Sequence, residues 1–460
     1  MEAKAYSQLL KRQRDFYQRG LTRSLDFRRT QLIKLKRAIL SHEHQIMEAL
    51  KADLGKSEHE AMTTEIGFTL LEISSAIKKL KRWDRIRKVK TNIFNIPGKS
   101  FIMREPYGNT LVIGPWNYPF QLALAPVIGA IGGGNTVIIK PSEMAERTAR
   151  VLTRLIQETF DEAYVGVVNG GVEETAALLQ ERFDLIFFTG SPKVGKIVME
   201  KAARHLTPVI LELGGKSPCI VDETAPLDIA VRRILFGKGT NAGQTCVAPD
   251  YVLLHESQKD AFYQRFKETV EVFYGKNCID NPQYGSIIHH NHYARLKAFL
   301  SDGTIITGGQ CDDERRRMAV TLLEVTDGDV PVMQEEIFGP ILPVIVYSQE
   351  EDIYQWTSRH PDPLALYVFS TNEAFIQRIL HRIPFGGGCV NDTIMHLTNE
   401  HLPFGGRGSS GMGNYHGQRS YEAFTHEKSI YRGSTHFDLQ LKYPPYDEKN
   451  RGLIKWLLYK

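Results

Sequence analysis

The chain has 460 residues, of which 42% are hydrophobic and 24% are charged, a composition typical of folded soluble proteins. At roughly 150 residues per domain, this length predicts about three domains, and a chain of this size buries a large core without disulfide or metal support. Its 57 basic and 53 acidic residues leave a net charge of +4 that is spread along the sequence. Nucleic-acid binding needs clustered basic residues, so we expect no nucleic-acid partner.

The number and spacing of the cysteines and the composition of the N-terminal residues indicate a reducing compartment. No CxxC pair occurs among the five cysteines, so neither a zinc site nor a disulfide framework is predicted, and an odd number of thiols fits reducing conditions. The first residues lack the apolar core of a signal peptide. The longest apolar run, 122–131, contains Pro126 and is shorter than the roughly 20 residues that span a bilayer. We therefore expect a cytoplasmic protein without a metal site.

The first part of the chain predicts helices followed by strands. Apolar residues at helical spacing predict helix over 1–54, with Gly55 as the stop, and a second helix over about 63–87. Residues 91–113 then change character and are typical of strands interrupted by Pro97 and Pro106.

Strands and helices alternate after that point. Apolar segments at 135–140, 165–169, 184–189 and 208–213 predict strands, and helices are predicted from Ser142, after Gly171 and over 191–205. Strands that are apolar throughout and separated by helices indicate a parallel sheet covered on both faces. A second such region follows, with strands at 251–255, 305–307, 342–347 and 364–369 and helices at 258–273, 350–358 and 373–382. After Gly411 the pattern is irregular.

Cys246, in the segment Gly243-Gln244-Thr245-Cys246, is the candidate nucleophile. Most free cysteines are small buried hydrophobes, and Cys219 in an apolar strand fits that description. Cys246 instead lies among polar and flexible residues, where core packing is a poor explanation. Cys389, at a strand edge, is a weaker rival. No histidine is close in sequence, so nothing indicates a Cys–His protease.

Two further residues have the right chemistry for acid–base and oxyanion roles. Glu212 ends an apolar strand, and a buried carboxylate has a raised pKa suited to a general base. A salt bridge to Lys216 is the alternative. Asn117 lies in the rigid turn Gly114-Pro115-Trp116-Asn117-Tyr118-Pro119, where its amide can donate to an oxyanion. A helix cap near Pro119 is equally compatible with the sequence.

Strand ends in an open parallel sheet are where dinucleotides bind. The segment 188–196 follows a strand and opens a helix, with Gly190 and Gly195 in a GxxxxG spacing rather than GxGxxG. Lys140 and Glu143, at the end of the preceding strand, suit ribose hydroxyls. Glu336, in Glu335-Glu336-Ile337-Phe338-Gly339-Pro340, lies at a loop-to-strand junction. A plain turn or a helix cap is the alternative at each of these places.

These segments together resemble the aldehyde dehydrogenase superfamily over nearly the whole chain. The matching motifs occur in the family's order, and they are Pro115–Pro119, Lys140–Glu143, Phe188–Ser191, Glu212–Lys216, Gly243–Cys246, Glu336–Pro340 and Pro403–Gly406. A shorter N-terminus and a Tyr-Pro-Pro-Tyr segment at 443–446 resemble the class 3 branch, which includes fatty and aromatic aldehyde dehydrogenases.

The resemblance implies an NAD(P)-dependent oxidation of an aldehyde, medium- to long-chain aliphatic or aromatic, to its carboxylic acid. Cys246 would form a thiohemiacetal and then a thioester, Asn117 would hold the oxyanion, and Glu212 would activate the hydrolytic water. The acid at position 212 favours hydrolysis over transfer to coenzyme A or phosphate. The family's cofactor contacts fall on Trp116, Lys140, Glu143, Gly190, Ser191, Val194, Gly195, Leu213, Gly214, Glu336 and Phe338.

The resemblance also implies a fold, a cofactor preference and an assembly. Two open doubly wound parallel-sheet domains are expected, with NAD binding over 1–90 and 109–212 and catalysis over 213–412. An oligomerisation arm at 91–108 and 413–445 would form a homodimer. Glu143 would repel a 2′-phosphate, so NAD is expected as cofactor, with NADP as the second option. The tail 446–460 is expected on a membrane surface, over the substrate entrance or on the protein body.

Two other functions fit parts of the sequence. A thiol esterase would use Cys246 without a cofactor. A non-catalytic protein that retains NAD would need neither Cys246 nor Glu212, although the sequence has both.

Overall fold

The computed structural model describes residues 3–446 and 448–459. Within them the helices are α1 (Ala3–Gln18), α2 (Leu25–Ser41), α3 (Glu43–Leu54), α4 (Glu58–Ala61), α5 (Gly67–Trp83), α6 (Gln121–Gly133), α7 (Glu146–Thr159), α8 (Val172–Leu178), α9 (Pro192–Ala203), α10 (Leu227–Gly239), α11 (Lys259–Tyr274), α12 (His290–Phe299), α13 (Pro331–Gln334), α14 (Glu350–Ser358), α15 (Glu373–Arg382), α16 (Gln418–Ala423) and α17 (Arg451–Leu458).

The strands within the same residues are β1 (Arg87–Val89), β2 (Lys99–Pro106), β3 (Asn109–Ile113), β4 (Thr136–Lys140), β5 (Val165–Val167), β6 (Leu185–Gly190), β7 (Val209–Leu213), β8 (Pro218–Val221), β9 (Tyr251–His255), β10 (Thr304–Thr307), β11 (Cys311–Asp312), β12 (Arg317–Met318), β13 (Thr321–Glu324), β14 (Ile341–Tyr347), β15 (Ala365–Phe369), β16 (Gly387–Val390), β17 (Gly411–Met412) and β18 (Thr425–Arg432).

The chain forms two compact units. The larger consists of the described residues of Met1–Trp83 and Pro106–Thr425, and the smaller consists of those of Asp84–Glu105 and His426–Lys460. The smaller unit contains a three-stranded sheet in the order β1-β2-β18. Residues 106–108 and 413–425, which the sequence analysis assigned to the oligomerisation arm, belong to the larger unit, and among them α16 packs on α6.

A six-stranded sheet in the order β17-β7-β6-β3-β4-β5 lies in the larger unit. All its neighbouring strands are parallel except β17, which runs antiparallel to β7. Every residue of β3 and β4 is buried, as expected for strands covered on both faces. The chain leaves β3 for β4 on one side and later returns to its other side with β6. The boundary between β3 and β6 is therefore a switch point, where ligands bind at the carboxyl ends of the strands.

The larger unit also contains a seven-stranded sheet in the order β10-β13-β14-β9-β8-β15-β16. Its strands are parallel except for the edge strand β10, which is antiparallel to β13. The two mostly parallel sheets confirm the predicted α/β class.

Several predicted elements differ in detail. The segment 1–54 is three helices rather than one continuous run, and the second predicted helix ends at Trp83 because the chain enters β1 at Arg87. Residues 93–95 form a single 3-10 turn rather than a strand. The region after Gly411 is more regular than predicted, since it contains α16 and β18.

The apolar run at 122–131 is part of α6, whose residues are buried from Gln121 to Gly133. No helix in the part of the chain that the structure describes is both long and apolar enough to cross a membrane.

Candidate active site

A cavity of about 800 Å³ opens at the strand ends that carry most of the predicted site. β3 leads into Trp116 and Asn117, β6 ends at Gly190, and β7 carries Glu212. Ten of the predicted residues line this cavity, namely Trp116, Asn117, Gly190, Ser191, Glu212, Leu213, Gly214, Cys246, Glu336 and Phe338. Segments as distant in sequence as 116 and 338 therefore meet in one place.

Cys246 lies half-buried in the loop between α10 and β9. Three residues of this loop have left-handed backbone angles, with φ of 53° at Asn241, 50° at Ala242 and 75° at Gly243. A Cβ at position 243 would lie 2.2 Å from the carbonyl oxygen of Gly339, so only glycine fits there. Burial and then the charges of Glu336 and Glu212 raise the pKa of the Cys246 thiol to about 12. The thiol therefore needs help to form a thiolate.

The other thiols differ from Cys246 in their surroundings. Cys219 is fully buried in β8, beside Tyr367 of β15. Cys389 lies in β16 with its sulfur 3.5 Å from Nδ1 of His396, and it is not among the residues that line the cavity. The rival nucleophile suggested by the sequence is thus separated from the candidate site.

Glu212 is a buried carboxyl group that faces the cavity. The residue is 3% exposed, and neither carboxylate oxygen has a hydrogen-bond partner among the described residues. Burial raises the pKa of Glu212 well above its usual range. The salt bridge to Lys216 is not formed, because the Nζ of Lys216 lies 2.7 Å from Asp250 instead. A carboxyl that is buried without a partner is typical of a general base.

Asn117 is held by hydrogen bonds to the loop that carries Cys246. Its Nδ2 donates to the carbonyl of Gln244 at 3.1 Å, which leaves the second N–H of the amide for another acceptor. Asn117 does not cap a helix, since α6 begins at Gln121 without a side-chain cap. Instead the carboxylate of Glu65 accepts the N–H groups of Phe120 and Gln121, at 2.9 and 3.1 Å.

The β6–α9 segment fits the phosphates of a dinucleotide. Ser191 caps α9, and its hydroxyl accepts the N–H of Val194 at 3.4 Å. A Cβ at Gly195 would lie 2.7 Å from Leu213, so the glycine allows α9 to approach β7 closely. Helix N-termini bind phosphate through their free N–H groups. Gly195 and Val194 do not themselves line the cavity.

Glu336 and the rings of Trp116 and Phe338 line the cavity together with the β6–α9 segment. A Cβ at Gly214 would lie 2.0 Å from Oε2 of Glu336, so the carboxylate rests directly on the glycine backbone. Burial and the charge of Asp250 raise the pKa of Glu336 to about 8. The ring of Trp116 meets Phe338 edge to face at 5.2 Å. A carboxyl beside aromatic rings suits a ribose and its nicotinamide.

Lys140 and Glu143 lie outside the cavity lining, at the end of β4. Lys140 is buried, and its Nζ lies 3.2 Å from the carboxylate of Glu143, which is 43% exposed. The helix predicted from Ser142 begins only at Glu146, because Ser142 accepts the N–H of Met144 in a local turn. The exposed Glu143 side chain remains available to a ribose.

Sequence reasoning missed the apolar half of the cavity. Its walls are contributed by side chains from six separate segments, namely Phe68, Leu122, Phe236, Ile394, Met395, Leu397, Phe404 and Tyr415. Polar side chains lie among them, including Thr64, Gln121 and His416, and Nδ1 of His416 lies 3.4 Å from a carboxylate oxygen of Glu72. Among them only Phe404 lies in one of the sequence motifs, Pro403–Gly406, so the fold identifies the others.

The fold and the site together define a family. The chain belongs to the aldehyde dehydrogenase family, whose model matches residues 8–430. It is therefore an oxidoreductase that acts on aldehydes with NAD or NADP.

Two relatives and one solved structure show how similar the chain is to individual members of the family. The chain is 50% identical to 4,4′-diaponeurosporen-aldehyde dehydrogenase of Staphylococcus aureus, over 94% of this chain and 95% of that protein. It is 44% identical to the rat "Aldehyde dehydrogenase, dimeric NADP-preferring", over 95% and 97% of the two chains. A solved structure described as the substrate-bound state of Staphylococcus aureus AldH superposes with a TM-score of 0.96, at 48% identity and 99% coverage of both chains.

Proposed function

We propose that this protein oxidises medium- to long-chain aliphatic or aromatic aldehydes to carboxylic acids, with Cys246 as nucleophile, Asn117 as oxyanion donor and Glu212 as general base. One observation supports this above all. The thiol, the amide and a buried carboxyl without a partner line the same cavity.

In the first step the Cys246 thiol releases its proton to solvent, its sulfur attacks the aldehyde carbon, and the carbonyl electron pair moves to oxygen. The free N–H of Asn117 Nδ2 and the backbone N–H of Cys246 donate to this oxyanion. NAD or NADP, when bound, accepts the hydride that leaves the thiohemiacetal carbon. The product on the enzyme is a thioester of Cys246.

In the second step Glu212 takes a proton from water, and the oxygen attacks the thioester carbon. The carbon–sulfur bond then breaks, and the Cys246 thiolate leaves with the carboxylic acid as product. Glu212 suits this step because burial, with no hydrogen-bond partner among the described residues, raises its pKa well above the usual range of a glutamate.

The apolar half of the cavity supports the substrate class. Aromatic and aliphatic side chains such as Phe68, Phe236, Met395 and Phe404 line it, and such walls favour a hydrocarbon chain or ring.

Formation of reduced cofactor from a panel of aldehydes tests the function. Long-chain and aromatic aldehydes should give the highest kcat/KM, and acetaldehyde a lower one. Ester hydrolysis without any aldehyde-dependent reduction of NAD or NADP would instead identify a thiol esterase, and binding of NAD without either activity would identify a non-catalytic protein.

Cofactor selection is proposed to depend on Glu143, with Lys140 beside it, at the adenosine ribose. Replacing Glu143 with glutamine should raise kcat/KM for NADP relative to NAD by about 5- to 10-fold, since one repulsive charge near a phosphate is worth about 1 kcal/mol or more. Steady-state kinetics with both cofactors measures this ratio. Glu146→Gln, in the first turn of α7, is the matched control. An unchanged ratio in Glu143→Gln would refute the assignment.

The cofactor domain is proposed to comprise residues 1–90 and 109–212, and the catalytic domain residues 213–412.

A homodimer is proposed, with the sheet β1-β2-β18 as its oligomerisation arm. Exposed apolar side chains near that sheet, including Ile93, Ile96 and Tyr431, support an interface there. Analytical ultracentrifugation should give a dimer mass for the protein and a monomer mass for Tyr431→Asp. A monomeric wild-type protein contradicts the proposal.

The protein is proposed to be cytoplasmic, and its tail, residues 446–460, is proposed to contact the surface of a membrane. Trp456, Leu458 and Tyr459 of the α17 region are exposed, next to basic residues. Co-sedimentation with anionic vesicles should be lost when residues 447–460 are deleted, and neutral vesicles serve as the control. Equal co-sedimentation of the deleted protein would rule out this contact.

A further inference from the structure

A buried polar network lies behind the cavity and ties together the two loops that carry Asn117 and Cys246. Lys56 and Glu65 form an ion pair whose side chains are fully inaccessible to solvent. Neither residue lines the cavity. Burying two charges is costly unless each is fully hydrogen-bonded, so the bonds that satisfy this pair indicate what it holds in place.

Both members of the ion pair form hydrogen bonds with the turn that carries Asn117 or with the residues just after it. The Nζ of Lys56 donates to the backbone carbonyl of Asn117 at 3.1 Å. Glu65 accepts the N–H groups of Phe120 and Gln121, just after the turn. The ring of Tyr118 lies 3.9 Å from the same Lys56 nitrogen. The backbone from the Asn117 carbonyl to Gln121 is thus fixed to charged groups.

Asn241 connects this turn to the nucleophile's loop. Its Nδ2 donates to the carbonyl of Asn117 at 2.8 Å and to the carbonyl of Gln244 at 3.0 Å. The Gln244 carbonyl also accepts the side chain of Asn117. One amide therefore sets the distance between the backbone of the oxyanion donor and the backbone two residues before Cys246.

The side chain of Gln244 anchors the same loop to the next segment. Its Nε2 donates to the carbonyl of Ser286, and its Oε1 accepts the N–H of Ile288, both at 3.0 Å. Asn241 keeps a left-handed backbone, with φ of 53°, in spite of its side chain. Such strain persists where surrounding contacts impose it, and it is frequent at functional sites.

Oxyanion stabilisation depends on donor position, and a misplacement of 1 Å is enough to cost about 100-fold in rate. We propose that Lys56, Glu65 and Asn241 are positioning residues that fix the Asn117 amide against Cys246, so that they set the rate of carbon–sulfur bond formation and hydride release. This inference rests on the proposed roles of Cys246 and Asn117.

The test uses the double variant Lys56→Met/Glu65→Gln, which removes both charges together so that neither is left buried alone. We expect the pre-steady-state burst of reduced cofactor to slow by about 10- to 100-fold, against about 10²–10³-fold for Asn117→Ala. The dissociation constant of NAD and the rate of Cys246 alkylation by iodoacetamide should stay within 2-fold or so of wild type, because alkylation forms no oxyanion.

Two further variants separate positioning from general stability. Asn241→Gly tolerates the left-handed backbone and removes only the bridging amide, so it should slow the burst in the same way even if the double variant fails to fold. Lys259→Met breaks the half-buried ion pair with Glu324 and should lower the melting temperature without changing the burst. In the Asn117→Ala background the network variants should add less than 3-fold or so, since their effect acts through Asn117.

Unchanged bursts in both network variants would overturn the inference, and so would a loss of alkylation in proportion to the burst. An Asn117→Ala protein as fast as wild type would instead refute the proposed role of Asn117 itself, which distinguishes the two failures.

Discussion

Replacing Cys246 with alanine is expected to abolish aldehyde-dependent reduction of NAD and NADP, by at least about 10⁴-fold in kcat. Among the described residues that line the cavity, Cys246 is the only cysteine. The expected result follows from the chemistry, because without the Cys246 thiohemiacetal there is no tetrahedral carbon whose carbon–hydrogen bond can release hydride. Absorbance of the reduced nicotinamide measures the rate.

Cys389→Ala serves as the matched control, since Cys389 is a partly buried thiol outside the cavity lining. It should retain activity within 2-fold or so of wild type, because substitutions away from the contacts of a site usually have small effects. Full turnover in Cys246→Ala, or loss of turnover in Cys389→Ala alone, would move the nucleophile to another residue.

Replacing Glu212 with glutamine is expected to separate the two halves of the reaction. The first turnover should still release reduced cofactor in a burst, while steady-state turnover should fall by about 10²–10⁴-fold, the usual contribution of a general base. Intact-protein mass spectrometry should then show the acyl group on the chain. The absence of both a burst and an acyl adduct would mean that Glu212 acts before the thioester forms.

The same variant is expected to change the pH dependence of deacylation. Only ionised Glu212 accepts a proton, and burial raises its pKa, so the deacylation rate of the wild type should rise with pH beyond the range where an ordinary glutamate has already ionised. Glu212→Gln should lose this rise. The burst phase serves as the internal control, because its pH dependence reflects the thiol of Cys246, whose pKa is raised to about 12.

The parallel α/β architecture was predictable because its buried strands are short apolar runs with clear turn signals. The helices at 350–358 and 373–382 agree with prediction to the residue. The prediction missed α12, whose apolar face is limited to Tyr293, Leu296 and Phe299. It also missed α10, although the apolar residues Leu227, Ala230, Val231, Ile234 and Leu235 recur there at helical spacing. It also placed the start of α7 too early, because Ser142 has the chemistry of a cap but uses it in a local turn.

The candidate site divides in the same way. Cys246, Glu212 and Asn117 were predicted from short motifs taken as a set, since each motif alone left an alternative open. Lys56, Glu65 and the apolar wall could not be predicted, since their roles arise from contacts between segments far apart in sequence. All the cofactor roles stay predictions. Ser191 and Glu336 line the cavity, whereas Lys140 and Glu143 lie outside its lining.

The close approach of Gly243 to Gly339 has a consequence for engineering. The loop of the nucleophile and the loop of Glu336 touch through backbone atoms, with no room for a Cβ between them. Protein engineering therefore finds no side chain at this contact that could be made smaller or larger. An insertion in either of the two loops would displace the other loop. New substrate ranges are better sought at Phe68, Phe236 or Met395, where side chains alone form the wall and directed evolution has volume to work with.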